Sequence, residues 1–134
     1  MTTQQSVGSL RFSWDTARAA VATAMAEEAA QWRAIVKPVS DAHARGEAQL
    51  EEVFEAEERW ARYPSARFAA VQQMLLTPAP DLAGVAEKMA TARRHEALDR
   101  GEPDIAAALH QIETDIRRLA GVGSISELNR EAAQ

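Results

Sequence analysis

The chain has no cysteine, and only two of its 134 residues, Lys37 and Lys88, are lysine. Without cysteine, disulfides, thiolate metal sites and thiol nucleophiles are excluded. The scarcity of lysine, together with a net charge of −5, also argues against nucleic acid as a direct partner, because phosphate binding needs Lys and Arg clustered on one face. We therefore expect a partner of another kind.

Large apolar side chains are also scarce, since Leu, Ile, Val and Phe together number 25 while alanine alone numbers 29. No run approaches the roughly 20 apolar residues that a membrane span needs, and residues 1–8 lack the charged and apolar regions of a signal peptide. Alanine, glutamate and arginine are strong helix formers. The composition predicts a cytoplasmic helical protein with a thin core and no membrane partner.

A heptad-spaced apolar stripe runs through the N-terminal half of the chain. Alternate steps of three and four residues lead from Ala22 to Trp60 and keep their phase through Pro38, which indicates a long helix, or two collinear helices, packed on partner helices. We expect Pro38 to kink this helix. An unbroken helix would exceed the diameter of a compact domain, so a reversal at Pro38 or Gly46 stays open. The proposed oligomer or packing stripe comprises Met25, Trp32, Val36, Val39, Leu50, Val53 and Trp60.

Local signals mark the expected helix ends. Ser13 stands as an N-cap, so the first helix should start near Trp14. Breaks are expected at Tyr63-Pro64, residues 77–81 and Gly101-Glu102-Pro103. We predict an all-α fold, either an antiparallel helical bundle or an extended helical hairpin, with a long Pro-kinked N-terminal helix and three shorter helices. Residues 1–134 should form a single helical domain whose ends, 1–12 and 122–134, are flexible or frayed.

Three segments of the C-terminal third stand out together, namely Leu75-Leu76-Thr77-Pro78-Ala79-Pro80-Asp81-Leu82-Ala83-Gly84-Val85-Ala86-Glu87-Lys88-Met89, His95-Glu96 and Asp115-Ile116-Arg117-Arg118-Leu119-Ala120. They resemble segments of a group of small helical proteins of GC-rich bacteria. Members of that group are often encoded near phage or mobile-element genes and have no assigned activity. The resemblance implies a helical fold and carries over no functional residue.

An acidic run lies between Asp41 and Glu58, where seven acidic residues accompany one basic residue, Arg45. The spacing places four carboxylates on one helical face, namely Glu47, Glu51, Glu55 and Glu58. Like charges at this spacing destabilise a helix by roughly 0.2 to 0.5 kcal/mol per pair. Partial compensation is expected from the pairs Asp41–Arg45, Glu55–Arg59 and Glu58–Arg62. The face is either a solvated surface or a docking site for a basic surface.

His43, His95 and His110 are the only histidines. None follows a glutamate at the Glu-x-x-His spacing of di-iron bundles, and His95-Glu96 begins like a zincin motif but has Asp99 where the second histidine would stand. On the stripe, His43 is expected to be buried with a backbone partner. The sequence predicts no catalytic, cofactor-binding or metal-binding residue.

These features predict a non-enzymatic, self-associating protein-interaction module that uses the stripe as its oligomer or partner surface. A concrete version is a mobile-element protein that inhibits or adapts a host complex through its acidic helix face. One alternative is a small helical enzyme or ligand-binding bundle that uses His95 or His43. Another is a structural component of a larger assembly.

Overall fold

The computed structural model describes residues 6–95 and 104–121, and every regular element within these ranges is helical. The all-α class predicted from the sequence is therefore confirmed. The predicted break at residues 101–103 and the predicted frayed segment 122–134 lie outside the described residues. The helices are α1 (Val7–Gln31), α2 (Lys37–Ala44), α3 (Leu50–Trp60), α4 (Arg62–Leu76), α5 (Leu82–Arg94) and α6 (Asp104–Leu119).

Helix α1 begins earlier than the sequence suggested. It starts at Val7, and the amide of Ser9 donates to the Ser6 hydroxyl at 3.1 Å, the bond that an N-cap side chain makes. The predicted start near Trp14 with Ser13 as the cap is wrong, because Ser6 offers the same cap to a longer helix. Trp14 consequently lies well inside α1, where it is buried.

A single π-helical turn, Trp32–Val36, joins α1 to α2 just before Pro38. The amide of Lys37 donates to the carbonyl of Trp32, five residues back. In an α-helix the ring of Pro38 would clash with the carbonyl four residues earlier, and the wider turn accommodates it. The extra residue in this turn shifts the phase of the buried positions. Upstream, Val21 is buried and Ala22 is exposed, so a single phase starting at Ala22 is wrong.

The chain reverses at Gly46, where a left-handed residue with φ 76° follows the end of α2. The amide of Glu47 donates back to the carbonyl of Ala42 at 2.8 Å, as in a glycine-terminated helix end. Helix α3 then contacts both the π-helical turn and α2. Farther along, the Trp60 indole N–H donates to the carbonyl of Glu28 at 3.0 Å. Of the alternatives left open by the sequence, one helix or collinear helices running to Trp60 is therefore wrong, and the chain instead reverses at Gly46.

The break between α3 and α4 falls at Ala61 rather than at the predicted stop, Tyr63-Pro64. Pro64 instead occupies the first turn of α4, between Arg62 and Ser65. The amides of a first turn have no partner within the helix, so a proline there removes no intrahelical hydrogen bond. A proline that reads as a stop in the sequence thus lies within the start of a helix.

The chain divides into two compact units, unit 1 with Met1–Ala17 and Val71–Gln134, and unit 2 with Arg18–Ala70. The single domain expected over residues 1–134 stays a prediction. Buried apolar residues of unit 2 include Val21, Val36, Val53 and Ala56. Those of unit 1 include Trp14, Ala17, Val71, Met74, Leu75, Ala79, Val85, Ala92, Ala108 and Ile112.

Replacement of Gly46 tests the reversal. A Cβ at this position would meet no atom within 4 Å, so the effect of Gly46→Ala comes from backbone conformation alone. We expect Gly46→Ala to lower the free energy of unfolding, measured by urea denaturation, by about 1 kcal/mol. Gly46→Asn should lose less, because asparagine adopts the left-handed conformation more readily. Equal losses in the two variants would contradict this explanation.

Candidate functional site

The predicted acidic residues lie on and beside α3. Glu47 is in the turn before the helix, whereas Glu51, Glu55 and Glu58 are exposed on α3 itself. Beside them, Leu50 and Phe54 are 47% and 57% exposed and, four residues apart, share one side of the helix. We call Leu50, Glu51, Phe54, Glu55 and Glu58 the α3 face. The structure therefore adds two exposed apolar side chains to the predicted acidic residues.

The charge compensation expected for the acidic run is wrong. Asp41 pairs with Lys37 at 2.8 Å rather than with Arg45, which pairs with Glu47 at 3.2 Å. Among the described residues, neither Glu55–Arg59 nor Glu58–Arg62 forms an ion pair. The guanidinium of Arg62 instead donates to the Tyr63 hydroxyl at 2.5 Å and lies over its ring. The α3 face thus keeps its negative charge.

The predicted stripe is buried only in part. Val36 and Val53 are buried in unit 2, and Met25, Val39 and Trp60 are half-buried. Trp32 and Leu50 are 38% and 47% exposed, so they do not belong to the core. The structure separates the stripe into packing residues and surface residues, and its use as an oligomer surface stays a prediction.

The three histidines differ in their exposure and in their contacts. His43 is exposed rather than buried, and its Nδ1 lies 2.9 Å from the carbonyl oxygen of Ala48, which gives it the expected backbone partner. His110 is exposed and His95 is half-buried. Among the described residues no three of His, Asp and Glu are grouped so that they could hold a metal ion. Asp99, the expected companion of His95, lies outside those residues.

Sequence reasoning missed a buried ion pair in unit 1. The Nζ atom of Lys88, on α5, lies 2.5 Å from Oδ2 of Asp115, on α6, and both side chains are completely inaccessible to solvent. Removing two charges from water is costly and is offset only when each charge is paired and hydrogen-bonded. Whether this pair stabilises unit 1 therefore depends on the other hydrogen bonds that its two charges make.

Asp115 accepts hydrogen bonds from several directions. Besides Lys88, its donors are the Ala79 amide and the Gln111 side chain, each at 3.1 Å, and Arg118 at 3.2 Å. Arg118 also donates to the Ala79 carbonyl. Both backbone polar groups of fully buried Ala79 are thus held by side chains of α6. We call Asp115, Lys88, Arg118, Gln111 and Ala79 the Asp115 cluster.

Two neighbouring features position this cluster. The Asp81 side chain caps α5 by accepting the Gly84 amide at 2.8 Å and pairs with Arg11 of α1 at 2.7 Å. The bond from Arg11, followed by that from Gly84, holds the pKa of Asp81 below its ordinary value. Three residues beyond Arg11, Trp14 places its ring centroid 5.7 Å from Lys88 Nζ, within the range of a cation–π contact.

Burial lowers the pKa of Lys88 below its ordinary value of 10.5, although the hydrogen bond and the charge of Asp115 oppose that shift. The unfolded chain therefore holds the Lys88 proton more tightly than the folded chain does. Across the interval between the folded pKa and about 10.5, the contribution of this group to stability rises with pH. The charged form of Lys88, which burial disfavours, is thus supported by its hydrogen bond to Asp115 and by the charge of Asp115.

A sequence signal for this pair exists. Lys88 lies three residues after Val85 and four before Ala92, and Asp115 lies three after Ile112 and four before Leu119. Each charge therefore falls on the apolar side of its helix. Opposite charges on the apolar sides of two successive helices indicate a buried pair.

Comparison of the chain with models of protein families, with curated proteins and with solved structures gave no match. No family assignment therefore carries a function over to this chain. None of the helices within residues 6–95 and 104–121 combines the length and the apolar character that crossing a membrane requires.

Replacement of Asp115 tests the buried pair. Asp115→Asn keeps an acceptor for the Ala79 amide but leaves Lys88 charged and unpaired, so we expect a loss of about 3 to 5 kcal/mol in unfolding free energy. Adding Lys88→Met to Asp115→Asn should recover most of that loss, because the remaining cation, Arg118, is 36% exposed and keeps access to water. Urea denaturation near neutral pH measures both. A double variant as unstable as Asp115→Asn would show that the charges are not coupled.

Proposed function

We propose that the chain is a non-enzymatic protein-interaction module and that its α3 face binds a basic and partly apolar surface of another protein. The single observation that carries the proposal is the placement of Leu50 and Phe54, both about half exposed, beside uncompensated glutamates on one helix. Exposed aromatic and aliphatic side chains next to charged ones are characteristic of protein interfaces.

The apolar half of the face supplies an anchor. Phe54 is 57% exposed, although Val53 and Ala56 on the same helix are buried. Buried and exposed apolar residues therefore coexist on α3, and the exposed ones lie outside the buried core of unit 2. A large side chain of this kind contributes binding free energy when a partner pocket covers it.

The acidic half supplies selectivity. Glu51, Glu55 and Glu58 lie three or four residues apart and form no ion pair with any described residue, so each neighbouring pair weakens α3 by roughly 0.2 to 0.5 kcal/mol. Lysine or arginine of a partner would relieve this repulsion and would also accelerate association at low salt. Charge complementarity thus favours a basic partner.

We infer that the helices form an antiparallel helical bundle with a bend at Pro38, so that α3 is presented on a rigid support. The helical proteins near mobile-element genes that the C-terminal third resembles suggest an adaptor or inhibitor of a host complex in the cytoplasm. Self-association of the chain is the second candidate function, and the exposed side chain of Trp32 favours it. Two α3 faces brought together would oppose glutamate with glutamate, so a dimer would use another surface.

The test is affinity capture of the tagged chain from a lysate of its own host at low and moderate salt, followed by mass spectrometry. We expect one stoichiometric protein that Phe54→Ser and the pair Glu51→Lys with Glu55→Lys no longer retain. Loss of a central aromatic anchor typically weakens binding by at least about fivefold, equivalent to about 1 kcal/mol. Retention should fall with rising salt.

The matched control reverses two exposed carboxylates outside the face, Glu27→Lys with Glu113→Lys, at the same net charge. This control should retain the partner, and circular dichroism should show that all variants keep their helices. Equal capture by the α3 and control variants would disprove docking through α3. Recovery of the chain alone would support self-association instead.

A further inference from the structure

The α3 face presents two rows of side chains that run side by side along the helix. Leu50 and Phe54, four residues apart, form the apolar row. Glu51 and Glu55, each the next residue in the chain, form an acidic row about 100° around the helix, and Glu58 continues it. Residues four apart in a row are separated by about 6 Å along the helix axis. A partner that covers both rows must therefore repeat its own side chains at a similar interval.

The backbone of α3 is engaged in its own helix. Leu50–Trp60 is helical throughout, and at its start the Gln49 amide donates to the Glu52 carboxylate at 2.6 Å, which occupies Glu52 outside the acidic row. A helix in this state offers no free strand edge to which an extended peptide adds by hydrogen bonding. Contact with the face must come from side chains, and two helices achieve this when their rows of residues four apart interdigitate. The geometry thus favours a helix as the partner element.

Charge and direction determine what that helix must carry. Glu51, Glu55 and Glu58 form no ion pair with any described residue, and a carboxylate pairs well with the planar N–H donors of arginine. In two antiparallel helices, the residues that follow the contact residues by one lie on the same side of the interface. A partner that repeats an apolar residue followed by a cation therefore covers both rows. Antiparallel alignment also sets opposite ends of the two helix dipoles side by side.

From this geometry we infer that the α3 face docks an antiparallel amphipathic helix of another protein, in which apolar residues four positions apart are each followed by arginine or lysine. The inference rests on the proposed function of the α3 face and adds to it the form of the partner and its charge pattern. A second copy of α3 does not meet this description, because glutamates follow Leu50 and Phe54.

A set of synthetic peptides tests the form of the partner. The first peptide, of about 16 residues so that it sustains a helix, carries Leu-Arg pairs at four-residue intervals in a background of alanine and glutamine. In the second peptide each arginine is moved one position further, which places it on the side of the helix away from leucine at the same composition. The third peptide has the sequence of the first with one central alanine replaced by proline, which breaks a helix.

We expect the first peptide to bind the chain at low salt, measured by isothermal titration calorimetry. The other two peptides should bind at least about tenfold more weakly, a factor equivalent to 1.4 kcal/mol. Phe54→Ser and the pair Glu51→Lys with Glu55→Lys should each weaken binding of the first peptide by at least about fivefold. The charge-matched pair Glu27→Lys with Glu113→Lys should bind it as the wild-type chain does.

Equal binding of the proline peptide would show that no helix is needed, and equal binding of the second peptide would show that the order of apolar residue and cation does not matter. Either result overturns the inference. Absence of binding by the first peptide at concentrations up to about 1 mM also overturns it. The proposed function stands in all three cases if the α3 variants still lose a host protein that the wild-type chain captures, so the two claims fail separately.

Discussion

The ion pair between Lys88 and Asp115 is the interaction on which unit 1 depends. A chain with many alanines and few large apolar residues has limited hydrophobic surface to bury, and it nevertheless places two charges in its interior. Burial of a charge is favourable only with defined partners, whereas apolar contacts tolerate sliding. The pair therefore fixes how α5 and α6 meet, and Asp115 extends that constraint to Ala79.

Unit 2 is held together by features other than a buried ion pair. Its reversal comes from the left-handed conformation of Gly46, and its buried apolar residues are three valines and one alanine, namely Val21, Val36, Val53 and Ala56. With so little core, most of α3 is left at the surface, including Phe54. The surface that we propose for partner binding is thus a consequence of the same alanine-rich composition that makes unit 1 depend on charges.

The sequence predicted the helical class and the break at residues 77–81, because composition and paired prolines act locally. It misplaced boundaries where two local signals compete. Ser13 and Ser6 are both possible caps, and packing of Trp14 inside α1 favours the longer helix. The π-helical turn could not be predicted, since a proline can kink a helix, end it or widen one turn. At the site, the sequence predicted the acidic residues but not the partners of the nearby arginines. Those partners depend on side-chain conformation. Arg62, which was expected to pair with Glu58, instead donates to the Tyr63 hydroxyl.

Hydrogen exchange at the amide of Ala79 tests the central claim most directly. This amide lies in a turn between two prolines and has no partner in a helix, so its protection depends on the carboxylate of Asp115. Exchange as slow as that of core amides in α5 and α6, such as Ile112, is the predicted result. Exchange at the rate of an exposed loop amide would show that Asp115 does not hold the turn and would contradict the account.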